Sequence, residues 1–120
     1  MKLKIVSVHN RGDFDKEHVL LKAVEDCDVG HYMLADSTYT EDGEPSNKLR
    51  HTYWFQNNGI SKDDYVSVWT KSGTDKKGEM KDGSPIHRYF WNLKKAVWND
   101  DGDCAVLIHT PDWQHFKVES

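Results

Sequence analysis

Three carboxylates and an amide fall within five residues at Asn99, Asp100, Asp101 and Asp103. Such an oxygen-rich set can wrap a calcium ion when backbone carbonyls complete the shell. The register is not that of an EF-hand loop, because Gly102 comes too early and no Glu closes the sequence. The block is therefore read first as a turn with side-chain-to-backbone hydrogen bonds. The seven histidines suggest zinc, yet none stands at i, i+4 from another with an acid between, and Cys27 and Cys104 are far apart in the chain. They are read as scattered surface or edge-strand side chains, with His9, His31 and His109 the three that a fold could bring together. The stretch Gly73-Thr74-Asp75-Lys76-Lys77-Gly78-Glu79 carries the glycine interval of a phosphate-binding loop, but Glu79 stands where a lysine must meet the phosphates. There is no Gly-x-Ser-x-Gly elbow, and no set of Ser, His and Asp can be singled out. The expectation is a chain without catalytic residues, resident metal or cofactor.

The elements that would position these residues are short. β-Branched and aromatic side chains recur in runs of a few residues, with no sustained helical stripe, which is the pattern of a sandwich or barrel. Strands are expected over 3–9, 18–24, 31–37, 51–55, 65–70, 87–92, 104–109 and 114–118. Turns are marked by Asp42-Gly43, Asn58-Gly59, Asp82-Gly83 and Asp101-Gly102, and Pro45, Pro85 and Pro111 fall between strands. In the first strand Leu3 and Ile5 share one face but Val6 and Val8 the other, which implies a bulge or burial on both sides. Trp91, Lys94, Lys95 and Trp98 also fit a short helical turn, so that segment stays open between the two readings. The charged stretch 73–86 is expected to be a flexible loop, and Cys27 is expected in a polar turn.

At 120 residues with 37 % apolar side chains, five Trp, five Tyr and four Phe, one domain spanning 1–120 can build a single core. A formal net charge of −4 disfavours a dedicated duplex-DNA binder, although Lys71, Lys76, Lys77, Lys81, Arg88, Lys94 and Lys95 form a local basic cluster. Two cysteines are too few for a disulfide framework. No leader and no membrane span is read, so the cytoplasm is the default compartment, with secretion after leader removal the alternative.

Several segments occur in an order that resembles the lamin tail domain, an immunoglobulin-like module. Gly12-Asp13 and Glu17-His18-Val19-Leu20-Leu21-Lys22-Ala23 are similar to an early strand of that family, with His18 and Ala23 replacing an aromatic and an Asn. His31-Tyr32-Met33-Leu34-Ala35-Asp36 follows, where the family has a Gly-Trp pair. Thr52-Tyr53-Trp54-Phe55 resembles the strand before the central loop, and the run from Ile60 to Thr74, with Val66-Ser67-Val68-Trp69 at its centre, resembles the family core, Lys62-Asp63 standing at a customary turn glycine. Ala96-Val97-Trp98-Asn99 through Ala105-Val106-Leu107 is similar to the family's Val-Trp-Asn block. The resemblance implies an all-β fold, an immunoglobulin-like two-sheet antiparallel β-sandwich, that is not an enzyme and serves as an interaction module. Trp69 and Trp98 would be its anchors.

One surface stands out. If Ala105 and Leu107 point inward, as the resemblance implies, then Cys104, Val106 and Ile108 point outward, and if Val66 and Val68 face the core then Tyr65 and Trp69 stand on the opposite face. Such a patch is either hidden by the chain's own loops or a surface for a protein or a second copy of the chain, and these five residues are the expected partner-binding set. The alternative is a carbohydrate- or nucleic-acid-binding module using Tyr89, Trp91 and Trp113 with Arg88, Lys94 and Lys95.

Overall fold

Alternation of side chains along His18–Ala23 buries Val19, Leu21 and Ala23 and leaves His18, Leu20 and Lys22 half-buried, so one face of this strand must meet a second layer. The same period places Val66 and Val68 inward on Tyr65–Trp69. The computed structural model describes residues 1–99 and 102–119 and is built of strands joined by turns. The strands are β1 (Leu3–His9), β2 (His18–Ala23), β3 (Cys27–Asp28), β4 (Tyr32–Thr38), β5 (Thr52–Trp54), β6 (Gly59–Ile60), β7 (Tyr65–Trp69), β8 (Lys76–Glu79), β9 (Pro85–Phe90) and β10 (Asp103–His109). A single 3-10 turn, Val29–His31, links β3 to β4, its first turn capped by the Asp28 carboxylate accepting from Gly30 N.

A five-stranded sheet in the order β1-β2-β7-β9-β8 packs on a three-stranded sheet in the order β10-β4-β5, and β3 pairs with β6 at one end. Leu3, Val19, Leu21, Val66, Val68 and Tyr89 from the first sheet meet Tyr32, Leu34, Phe55 and the half-buried Tyr53, Ala105 and Leu107, with Trp98 from the segment after β9 filling the space between. The all-β sandwich expected from the sequence is the architecture, compatible with an immunoglobulin-like arrangement. Every pairing is antiparallel except β7 with β9, which is parallel. The phase slip in β1 is a bulge, as the pairing shifts between Ile5 and Ser7 against β2.

Several local expectations need correction. Segment 73–86, expected as a loop, contains β8, which pairs with β9 and turns through Gly83 at a φ of +88°. The turn closes because Met80 N donates to Ser84 O and Gly83 N to Met80 O. Residues 114–118, expected as a strand, have none, and Phe116 and Val118 stand 93 % and 90 % exposed. Segment 91–98 is neither strand nor helix. Instead Trp91 N donates to Trp69 O and Leu93 N to Thr70 O, which pins the segment across the end of β7. Cys27 lies in β3, paired with Ile60, rather than in a turn. The Asp42-Gly43 turn forms, whereas Gly59 opens β6 instead of a turn. Ahead of β7, Asp63 takes a φ of +74° and Ser61 N donates to Asp64 Oδ2. Among the described residues no helix is long and apolar enough to cross a membrane.

Candidate binding site

The five residues expected to bind a partner lie on two faces of the sandwich. Tyr65 and Trp69 lie on the outer face of the five-stranded sheet, half-buried, and Cys104, Val106 and Ile108 lie on the outer face of the three-stranded sheet on the other side of the sandwich. The first face is arranged as a ladder of rings. His9 stacks on His18 at 4.9 Å, His18 on Trp69 at 4.0 Å, and Trp69 on Phe90 at 6.4 Å. The indole of Trp69 is an outer-face residue whose Nε1 donates to Ser67 Oγ, while Trp98 is the anchor in the core. Burial, with a smaller push from His9, lowers the His18 pKa below its ordinary value.

On the second face, Cys104 is already covered. It pairs with Ser37, whose hydroxyl donates to Lys48 O at 2.9 Å, so the chain after β4 closes over that corner and burial pushes the thiol pKa up. Val106 pairs with Ala35 and Ile108 with Met33, and Met33 in turn pairs with Trp54 of β5. Trp54 donates from Nε1 to Gly30 O at 3.0 Å and meets Trp113 edge to face at 4.7 Å. These two indoles remain 44 % and 54 % exposed. Sequence reasoning identified Val106 and Ile108 but missed Met33 and Trp54, which join them only through the register of β10, β4 and β5.

A second feature was not legible in the sequence. Loop 56–58, loop 73–75 and the end of β9 enclose a cleft of about 700 Å³. Its aromatic members Tyr53, Trp54, Tyr89, Phe90 and Trp91 come from two sheets and a connecting segment. Tyr53 packs at 6.2 Å from Tyr89 and 6.1 Å from Trp91. Around them stand the amides Gln56, Asn57, Asn58 and Asn92, with Asp75 the one charged residue of the lining. Asn58 Nδ2 donates to the Tyr89 hydroxyl at 3.0 Å, Asp75 Oδ1 accepts from Phe90 N at 3.0 Å, and Asn92 Oδ1 accepts from Gly73 N at 3.2 Å. Burial, then the nearby Asp75 charge, pushes the Tyr53 phenol up to about 12. The Tyr89 phenol is raised for the same first reason, so both rings keep their protons and can donate. Of the residues expected for sugar or nucleic-acid binding, Tyr89 and Trp91 line this cleft, Arg88 lines an adjoining hollow with Lys76, Lys77 and His87, and Trp113 lies instead beside Trp54 at another hollow. Lys94 and Lys95 are exposed and line neither.

Two Asp–His pairs form across long sequence separations: Asp36 with His51 at 3.1 Å and Asp64 with His87 at 3.0 Å. Asp36 also accepts from His51 N at 2.6 Å and Asp64 from Ser61 N at 3.1 Å, so each carboxylate closes a chain turn. His9 stands with His18, and His109 packs on Tyr32 at 4.8 Å, so the three histidines considered together for zinc are not brought together. Among the described residues there is no group of three His, Cys, Asp or Glu that could hold a metal. The carboxylate-rich turn at 99–103 includes Asp100 and Asp101, which lie outside the described residues. Comparison of the chain with models of protein families matches none of them, and comparison with curated proteins finds no similar one.

Proposed function

We propose that this chain is a non-catalytic interaction module, of the kind the lamin tail resemblance implies, and that its protein partner docks on the outer face of the three-stranded sheet. The observation that carries the reading is the Trp54–Trp113 pair, more than two fifths exposed on each side and set beside Met33 and Ile108. Large indoles at the centre of an apolar patch are the side chains that gain most from a desolvating partner. The Nε1 bond of Trp54 to Gly30 O holds its ring in place before any partner arrives, which lowers the ordering cost of binding.

The simplest protein partner is a second copy of the chain. Light scattering over a range of concentrations measures this directly, with wild type compared against Ile108→Asp and Trp113→Ala. A mass above one chain that falls in both variants is the expected result. If the wild type stays at one chain throughout, and cross-linking to a co-purified protein does not depend on Trp113 or Ile108, the reading fails.

A further inference from the structure

We infer that the cleft between loops 56–58 and 73–75 is a binding site for a neutral oligosaccharide. The lining has the two components that sugar recognition needs. Aromatic faces take the apolar C–H side of a pyranose ring, and planar amides and a carboxylate take its hydroxyls in pairs. Tyr53, Trp54 and Trp91 supply the first, and Gln56, Asn57, Asn58, Asn92 and Asp75, with the hydroxyl of the buried Tyr89, the second.

The hydrogen-bonding state of these groups sharpens the ligand class. Asp75 Oδ1 is committed to Phe90 N, which fixes the carboxylate, while its other oxygen makes no hydrogen bond to a described residue. A fixed acceptor of this kind suits a vicinal pair of hydroxyl donors. The phenols of Tyr53 and Tyr89 both stay protonated beside it and are donors. Lysine, arginine and histidine are all absent from the lining, so nothing there neutralises a phosphate or a uronate. The nearest cations, Lys76, Lys77 and Arg88, line an adjoining hollow of about 390 Å³ that shares Asn58, Asp75 and Tyr89 with the cleft. Within the lining of the cleft itself, a nucleic acid or an acidic polysaccharide would meet the Asp75 charge and no cation.

The cleft is also preorganised. Gly73 lies so close to Phe90 that an added Cβ would fall 2.4 Å from the ring, and Gly30 lies so close to loop 56–58 that a Cβ would fall 2.8 Å from Asn57 Cα. One wall is therefore seated by a glycine against the Phe90 ring and the other by backbone against backbone. The volume accommodates a segment of two or three sugar rings along the cleft.

The test titrates the intact chain with cello-, xylo-, manno-, malto- and chito-hexaose at low and high salt, following tryptophan emission and heat. Trp54 and Trp91 lie in the cleft, so occupancy shifts the emission. One of the neutral series binds, with no dependence on salt, and its affinity falls by roughly tenfold or more, the worth of one good hydrogen bond, in Asp75→Asn or Tyr53→Phe. Both variants keep the ring or the acceptor used inside the fold, and their thermal midpoints verify that they are folded. Ile108→Asp, at a residue of the docking surface that does not line the cleft, leaves sugar affinity unchanged, and Trp54 is the residue that the two surfaces share. Failure of all five series to bind overturns the proposal. So does binding that neither Asp75→Asn nor Tyr53→Phe weakens, or a preference for heparin or oligothymidine that fades with salt.

Discussion

The Thr70 hydroxyl donates to the carboxyl group of Glu17, fully buried and 53 residues away in the chain. The same oxygen, Oε2, accepts from Val97 N at 2.8 Å, and Oε1 accepts from Gly12 N at 3.0 Å. One side chain thereby ties the turn after β1, the end of β7 and the segment that carries Trp98 into the core. A buried acceptor with three donors is costly to remove, because each donor loses its partner where water cannot replace it. Glu17→Ala is expected to lose roughly 2–4 kcal/mol of folding stability. The midpoint of urea unfolding reads this out.

Removing the anchor itself tests the core. Trp98 is 2 % exposed and packs 6.3 Å from Trp91. Trp98→Ala is expected to cost about 3–5 kcal/mol, enough to unfold much of a marginally stable domain. Circular dichroism against temperature distinguishes that outcome from a silent change.

The ring ladder predicts an acid sensitivity. The folded-state pKa of His18 is below its ordinary value of 6.5, chiefly through burial. The unfolded chain therefore binds more protons than the folded one between those two values, so stability falls as the pH drops below 6.5 and levels off beneath the folded value. His18→Phe keeps a ring between His9 and Trp69 and removes the titration. Its unfolding midpoint should fall less than that of the wild type between pH 7.5 and 5.5, and an equal fall in the two proteins would assign the effect elsewhere.

Gly30 is a second point of backbone contact. Its added Cβ would lie 2.8 and 2.9 Å from backbone atoms of Asn57, which cannot swing aside as a flexible side-chain tip could. Gly30→Ala is expected to cost about 1–3 kcal/mol and to displace loop 56–58. Gly78→Ala is the control, since its added Cβ meets the end of the Arg88 side chain, and its melting temperature should stay near that of the wild type.

Thiol reactivity separates the two cysteines. Burial raises the pKa of both, but Cys104 is 7 % exposed beneath the chain that follows β4, whereas Cys27 is half-buried at the end of the sandwich. Alkylation of the native protein at pH 8, followed by mass spectrometry, should modify Cys27 first and both more slowly than free cysteine.

What the sequence determined by itself was local. The period of two in 18–23 and 65–69 decided which side chains face inward, and the phase slip at Val6 announced the bulge in β1. The outward placement of Val106 and Ile108 rested on the lamin tail resemblance, because their strand is apolar on both faces. What it could not determine was anything that depends on which strands become neighbours. Residues 114–118 alternate like a strand but pair with none, whereas 76–79, polar and glycine-containing, form a strand by pairing with β9. The cleft has no local signature at all. Tyr53, Asp75 and Tyr89 are ordinary residues of three separate segments, and their shared surroundings arise only when the two sheets close. The Glu17 knot, both Asp–His pairs and the Trp54–Trp113 contact belong to the same class. Alternation is encoded residue by residue, whereas a site of this kind is a property of distances that only tertiary packing decides.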